Sequence, residues 1–156
     1  MTEKPSAAAG RVRFGDSRPL DDGEVQELVE RNWWGVLSTV GDTHPYAVPV
    51  VYGYDGEHFY IASRSGRKVE HIEARSGVCL NIVEVGRPGE HWTSVLVTGA
   101  AELVADAKGH LAAILALRRQ AGITARNVDP RDLARMAAAR VIRVCPSEIT
   151  GRARTE

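Results

Sequence analysis

The chain has 156 residues, which suits one domain with one core, and its 20 basic and 20 acidic side chains cancel to a formal charge of zero. No overall field draws it to nucleic acid or to an anionic membrane, so any anion site has to be local. Its apolar runs fall far short of the ~20 residues a membrane-spanning helix needs, and its first residues carry no apolar signal core, so a cytoplasmic protein is expected.

Taken in order, residues 1–20 read as a flexible arm, 21–150 as a single domain and 151–156 as a tail. Asp21 and Asp22 give an acidic start to a helix ending near 31, with Val25, Leu28 and Val29 at helical spacing. The β-branched run 35–40 predicts a strand, 41–45 a turn and 46–54 a second strand. Pro49 lies inside that second strand. Proline lacks a ladder donor, so the stretch belongs at an edge, or is irregular, or bends around something. Asp55-Gly56 marks a tight hairpin into a third strand over 57–63. A short helix, VEHIEAR, follows at 69–75.

Val78, Leu80 and Ile82 share one face of a fourth strand over 77–84. A long fifth strand covers 91–106, with Gly99 placed for a bulge or bend. Asp106 caps a helix reaching about 120, where Leu111, Ile114 and Leu115 form the apolar stripe and Gly122 ends the element. Asp129 and Pro130 start another helix, with Leu133, Met136 and Ala137 facing inward. A sixth strand covers 139–145, and the residues from Pro146 onward read as a tail. Six strands with hairpin-style links predict a mainly β protein. The antiparallel sheet is large enough to close into a small barrel, capped by the short helix between strands three and four.

Cys79 and Cys145 read as buried free thiols, with a disulfide as the alternative. The histidines at 44, 58, 71, 91 and 110 lack helical metal spacing and there is no Cys-x-x-Cys, so no metal is expected. Neither a G-x-S-x-G elbow nor a Walker loop occurs. Gly86 and Gly89 are fragments of a glycine loop in surroundings wrong for a dinucleotide fold. Any redox chemistry would have to be carried by a cofactor.

One stretch conflicts with its setting. SRSGRK (63–68) places Arg64, Arg67 and Lys68 where a helix begins. Cations there are disfavoured by roughly 0.3–1 kcal/mol each. A solvated loop balanced by Glu70 and Glu73 is the plainer reading. The alternative is a phosphate cradle, built from the free N–H groups after Gly66 and the hydroxyls of Ser63 and Ser65.

The ordered run YAVPVVYGYDGEHFYIASRSGRKVEHIEARSGVCLNIVE, then SVLVTGAAELV, then VIRV and EITGR, resembles the pyridoxamine 5′-phosphate oxidase-like, FMN-binding split-barrel superfamily. Within it the likeness is to the Nim-type (nitroimidazole resistance) flavoproteins. The resemblance implies a six-stranded split barrel and a homodimer with FMN between the subunits. By the same resemblance, the backbone of Tyr46, Ala47, Val48, Pro49, Val50 and Val51 would line the flavin ring. Ala62 and Ser63 would reach the ribityl phosphate, and Arg67 and Lys68 would hold it. Ser94 would meet the flavin of the other subunit, and Trp92 would stack near it or serve as an ordinary interface or core residue. His71 is a candidate catalytic group, with a surface histidine as the plainer reading.

The implied activity is an oxidoreductase passing electrons from NAD(P)H through FMN to a small substrate, nitro compounds among the candidates. Alternatives are an F420-dependent reductase and a non-catalytic flavin- or haem-binding protein. True pyridoxamine 5′-phosphate oxidases carry a C-terminal Trp and Arg-rich substrate segment, and EITGRARTE has no Trp, which argues against pyridoxamine 5′-phosphate oxidation itself.

Overall fold

The computed structural model describes residues 16–87, 90–123, 127 and 129–154. Most of the expected arm, Gly89 and the side chain of Leu133 lie outside that set. The elements in chain order are β1 (Arg18–Pro19), α1 (Asp22–Arg31), β2 (Trp34–Val40), β3 (Pro45–Val51), β4 (Gly53–Tyr54) and β5 (Phe59–Ser63). They continue with α2 (Arg67–Ala74), β6 (Gly77–Val85), β7 (Trp92–Leu103), α3 (Ala107–Gln120), α4 (Pro130–Ala138) and β8 (Arg140–Arg154). The two-residue β1 and β4 aside, the strands are the six the sequence predicts.

All strand pairs are antiparallel, in the order β3-β2-β6-β7-β8-β5-β4, with β1 added to β8. The two ends of this order, β3 and β4, are neighbours in the chain and meet at Tyr52. The sheet therefore curls back on itself without a closing ladder between them, which is a split barrel. Tyr52 is fully buried at the join, and its hydroxyl donates to the carbonyl of Val29 at 2.7 Å. Burial pushes its phenol up from the ordinary value, so it stays a donor through the neutral range. The expected strand 46–54 is thus interrupted at residue 52.

Pro49 stands on β3, an edge of the sheet order, where a missing donor costs no ladder bond on the open side. Strand alternation sends Leu37, Leu80, Ile82, Val95 and Val97 inward, where all are fully buried, and α1 covers one opening with Leu28 and Val29. Burying each large aliphatic side chain stabilises by roughly 1.5–3 kcal/mol. Helix starts follow local chemistry: Asp21 caps α1 in a capping box with Glu24, Asp106 caps α3, and Asp129 caps α4 ahead of Pro130.

Four expectations are corrected. First, residues 146–154 are strand: β8 pairs with β7 as far as Arg154 opposite Trp92. The register shifts opposite Gly99, leaving Ser147 as the extra residue and turning the strand past Pro146. Second, α3 packs with its small residues. Ala113, Ala116 and Leu117 are buried, while Leu111 and Leu115 are 57% and 56% exposed. The reason is close approach: a Cβ on Gly53 would collide with the Ala116–Leu117 backbone, so the face of α3 turned to β4 is the one that carries Ala113 and Ala116. Third, Ala137 on α4 is exposed and Met136 only half-buried. Fourth, Cys79 and Cys145 are free but half-buried rather than buried.

Candidate functional site

The hexapeptide 63–68 leaves β5 and enters α2. Its turning point is Gly66, whose φ of +154° lies in a region that favours glycine. Gly66 is the N-cap of α2 and supplies no side-chain cap; its carbonyl accepts from the Val69 and Glu70 amides. The amide N–H groups of Arg67 and Lys68 have no acceptor within the helix, by the geometry of a first turn. Such an end attracts anions, and two cationic side chains strengthen the attraction.

Arg67 lines a cavity of about 260 Å³ with Tyr46, His44 and His71, between the β2–β3 turn and α2. His71 is held there. Its Nδ1 lies 2.9 Å from the Oγ1 of Thr39, a residue only 2% exposed, and its ring meets Tyr46 edge-on at 5.6 Å. The same hydroxyl donates to the Tyr46 carbonyl at 3.4 Å. It has one proton to give. When that proton goes to the carbonyl, His71 carries its own proton on Nδ1 and leaves Nε2 as an acceptor.

Three predicted residues, Tyr46, Arg67 and His71, therefore share one cavity. Ala62 and Ser63 line a different one, and Lys68 is half-buried on α2. The Ser63 hydroxyl donates to the carbonyl of Arg64 at 2.7 Å. Along β3, Val50 is buried in the core, Val48 is half-buried on the same face, and Ala47, Pro49 and Val51 are exposed on the outer face.

Trp92 and Ser94 lie on that same outer face, on β7, and the Ser94 hydroxyl donates to Asn81 Oδ1 at 2.9 Å. Three strand steps separate β7 from β3, roughly 14 Å. Ser63 pairs with Arg140 at the start of β8, whereas Ser94 and Trp92 pair with Arg152 and Arg154 at its end, so one chain does not bring Trp92 and Ser94 to the hexapeptide. Around the polar Ser38, Asn81 and Ser94, this outer face exposes Trp34, Val40, Val51, Val85 and Leu96. A depression of about 650 Å³ on it is lined by Val40, Pro45, Cys79, Thr98 and Cys145 among others.

Thr39 escaped the sequence reading because it sits in a β-branched strand run and looks like core. Its only signal is a hydroxyl on the inward face of an apolar strand. Among the described residues, no group of three His, Cys, Asp or Glu side chains is placed to hold a metal, and no helix is long and apolar enough to cross a membrane.

The family model for pyridoxamine 5′-phosphate oxidase matches residues 21–153, and the chain belongs to that family. The curled antiparallel sheet is its split barrel. The chain is similar to an FAD-binding protein of Mesorhizobium loti, at 28% identity and a TM-score of 0.72, covering 90% of this chain and 98% of that one. It shares its fold with a candidate 5-nitroimidazole antibiotic resistance protein of Bacteroides thetaiotaomicron, at 18% identity and a TM-score of 0.71, covering 88% and 87%. An uncharacterized protein of Rhizobium meliloti (strain 1021) is 32% identical over 82 residues, and the match spans about half of each chain, 53% of this one and 54% of that one.

Proposed function

We propose that this chain is a homodimeric flavoprotein that holds the 5′-phosphate of a flavin at the N-terminus of α2. The observation that carries the reading is the uncapped first turn of α2, with Arg67 and Lys68 on it, beside the cavity of Tyr46 and His71. The residues fit the group. The helix end and its cations suit a dianion, and about 260 Å³ is less than the ~300–1,000 Å³ of a whole small-ligand pocket, so this cavity matches one end of a larger ligand. FMN is the smallest flavin with the required phosphate. The name of the Mesorhizobium loti relative makes FAD the second candidate.

The dimer reading rests on the outer face. One exposed tryptophan, three valines and a leucine (Trp34, Val40, Val51, Val85 and Leu96) spread across β2, β3, β6 and β7 are unusual on a monomer's surface and suit a self-association surface. Pairing through this face would lay Ser94 and Trp92 of one copy against the exposed Ala47, Pro49 and Val51 edge of the other. A bound flavin would supply the electron transfer, from a nicotinamide donor to a small acceptor. The chain's part would be to anchor the phosphate, wall off water and present His71 Nε2 as a proton acceptor.

A titration tests the cradle. Lys68→Ala should weaken FMN by about 1.5–3 kcal/mol, the scale of a hydrogen bond to a charged group. Riboflavin, which has no phosphate, should bind both proteins alike. Equal FMN affinity in the two would remove the cradle. Turnover of NAD(P)H with a nitro-compound acceptor separates an enzyme from a flavin carrier, and an absorbance spectrum of the purified protein separates flavin from F420 and haem.

A further inference from the structure

The hexapeptide has a second side. Ser63, Arg64 and Ser65 line a cavity of about 550 Å³ whose opposite wall is α4 and the start of β8, contributing Arg135, Met136 and Arg140. This volume falls within the ~300–1,000 Å³ range of small-ligand pockets. Its chemistry is mixed in a specific way. Three guanidinium groups border it. Arg140 meets Glu73 at 3.3 Å, Arg135 meets Asp132 at 3.5 Å, and Arg64 has no ion-pair partner among the described residues. Three cations against two carboxylates leave one positive charge in excess. The rest of the lining is the Ser63 and Ser65 hydroxyls, three alanines and Met136. Guanidinium groups grip phosphate in two-pronged fashion and stack on flat aromatic rings. The cavity therefore suits a ligand with a phosphate at one end and an apolar ring at the other.

The two cavities are separate but are lined by near neighbours in the chain. Ser65 lines this one and Arg67 lines the other, two residues apart, at most about 7 Å along the backbone. The uncapped turn of α2 lies between them. We infer that the cavity under α4 is the adenylate subsite of the flavin site, so that the full ligand is FAD, with its pyrophosphate across residues 65–68 and its AMP half between Arg64 and α4. This rests on the flavin reading above and extends it. FMN would end at the α2 turn and leave Arg64, which has no ion-pair partner among the described residues, without an anionic group to meet.

Arg64 and Arg135 are the residues to change, since both are exposed and Arg135 makes only an exposed ion pair at 3.5 Å. Dissociation constants for FAD and FMN would be measured on the apoprotein of wild type and of the Arg64→Ala/Arg135→Ala variant, with circular dichroism to show that both are folded. Wild type should bind FAD at least tenfold more tightly than FMN. The double variant should lose that advantage while holding FMN unchanged, and ADP should compete with FAD on wild type more strongly than on the variant. Equal affinity of wild type for the two flavins overturns the subsite and leaves the cradle standing. So does a variant that loses FMN as much as FAD. Binding of neither flavin overturns both readings together.

Discussion

The two faces of β2, β6 and β7 are built from similar residues and treated in opposite ways. Inward, Leu37, Leu80, Ile82, Val95 and Val97 are fully buried. Outward, on the same strands, Trp34, Val40, Val85 and Leu96 remain 40–71% exposed. A half-buried antiparallel sheet ordinarily alternates apolar with polar residues. Here the inward set is explained by the fold of one chain, and the outward set is not. The inner face belongs to folding, and the exposed outer set is what the dimer proposed above would cover.

The contrast can be broken most forcefully on the inner face. Leu80→Ala should cost about 2–5 kcal/mol, since it removes a fully buried side chain and leaves a cavity. Leu96→Ala on the facing strand should cost much less of the monomer's stability. Urea denaturation at a concentration low enough to keep the chain monomeric measures both, and equal losses would erase the distinction between the faces.

The next effect is on assembly. Val85→Glu combined with Leu96→Glu places two like charges on the outer face, and should weaken self-association by at least tenfold, about 1.4 kcal/mol. Sedimentation velocity over a dilution series reads the outcome. A dimer that survives both charges would move the interface elsewhere.

A smaller effect belongs to the rim. Glu84, near the end of β6, accepts two hydrogen bonds from Arg31 at 2.7 Å and one from Asn32 at 2.8 Å. The Arg31 bonds hold its carboxyl below the ordinary 4.5. A depressed folded value means the contribution is complete above the unfolded value and fades as pH falls through the folded one. Glu84→Gln should therefore lose roughly 1 kcal/mol at neutral pH, the scale of a partly exposed ion pair. The gap between variant and wild type should close in acid. A gap that persists at low pH would assign the effect to packing instead of charge.

What the sequence reveals of this architecture depends on how local the cause is. Asp21, Asp106 and Asp129-Pro130 mark their helix starts because a cap acts over three residues. Pro49 marks an edge because a missing donor cannot sit in mid-sheet. The leucines of α3 mislead, since Gly53, more than fifty residues earlier, decides which face of that helix can come close. The second half of β8 is concealed for a related reason. Its polar positions Glu148, Thr150 and Arg152 pair on the outer side of β7, and Pro146 fits only because the register shifts there. At the site, SRSGRK is visible as misplaced charge, whereas the arginines of α4 and β8 reach it only through tertiary packing.

β8 carries one more consequence, for the order of events on the ribosome. It pairs with β7, β5 and β1, so it is the strand that joins the two halves of the sheet. The β2–β3 and β6–β7 hairpins can assemble as soon as they are translated. The contact between Phe59 and Val144 must wait some eighty residues for its partner. Until then β5 has an open edge and an apolar inner face. Nascent chains stalled before residue 140 should be the aggregation-prone and chaperone-dependent form of this protein, and release past Arg154 should be the step that seals it.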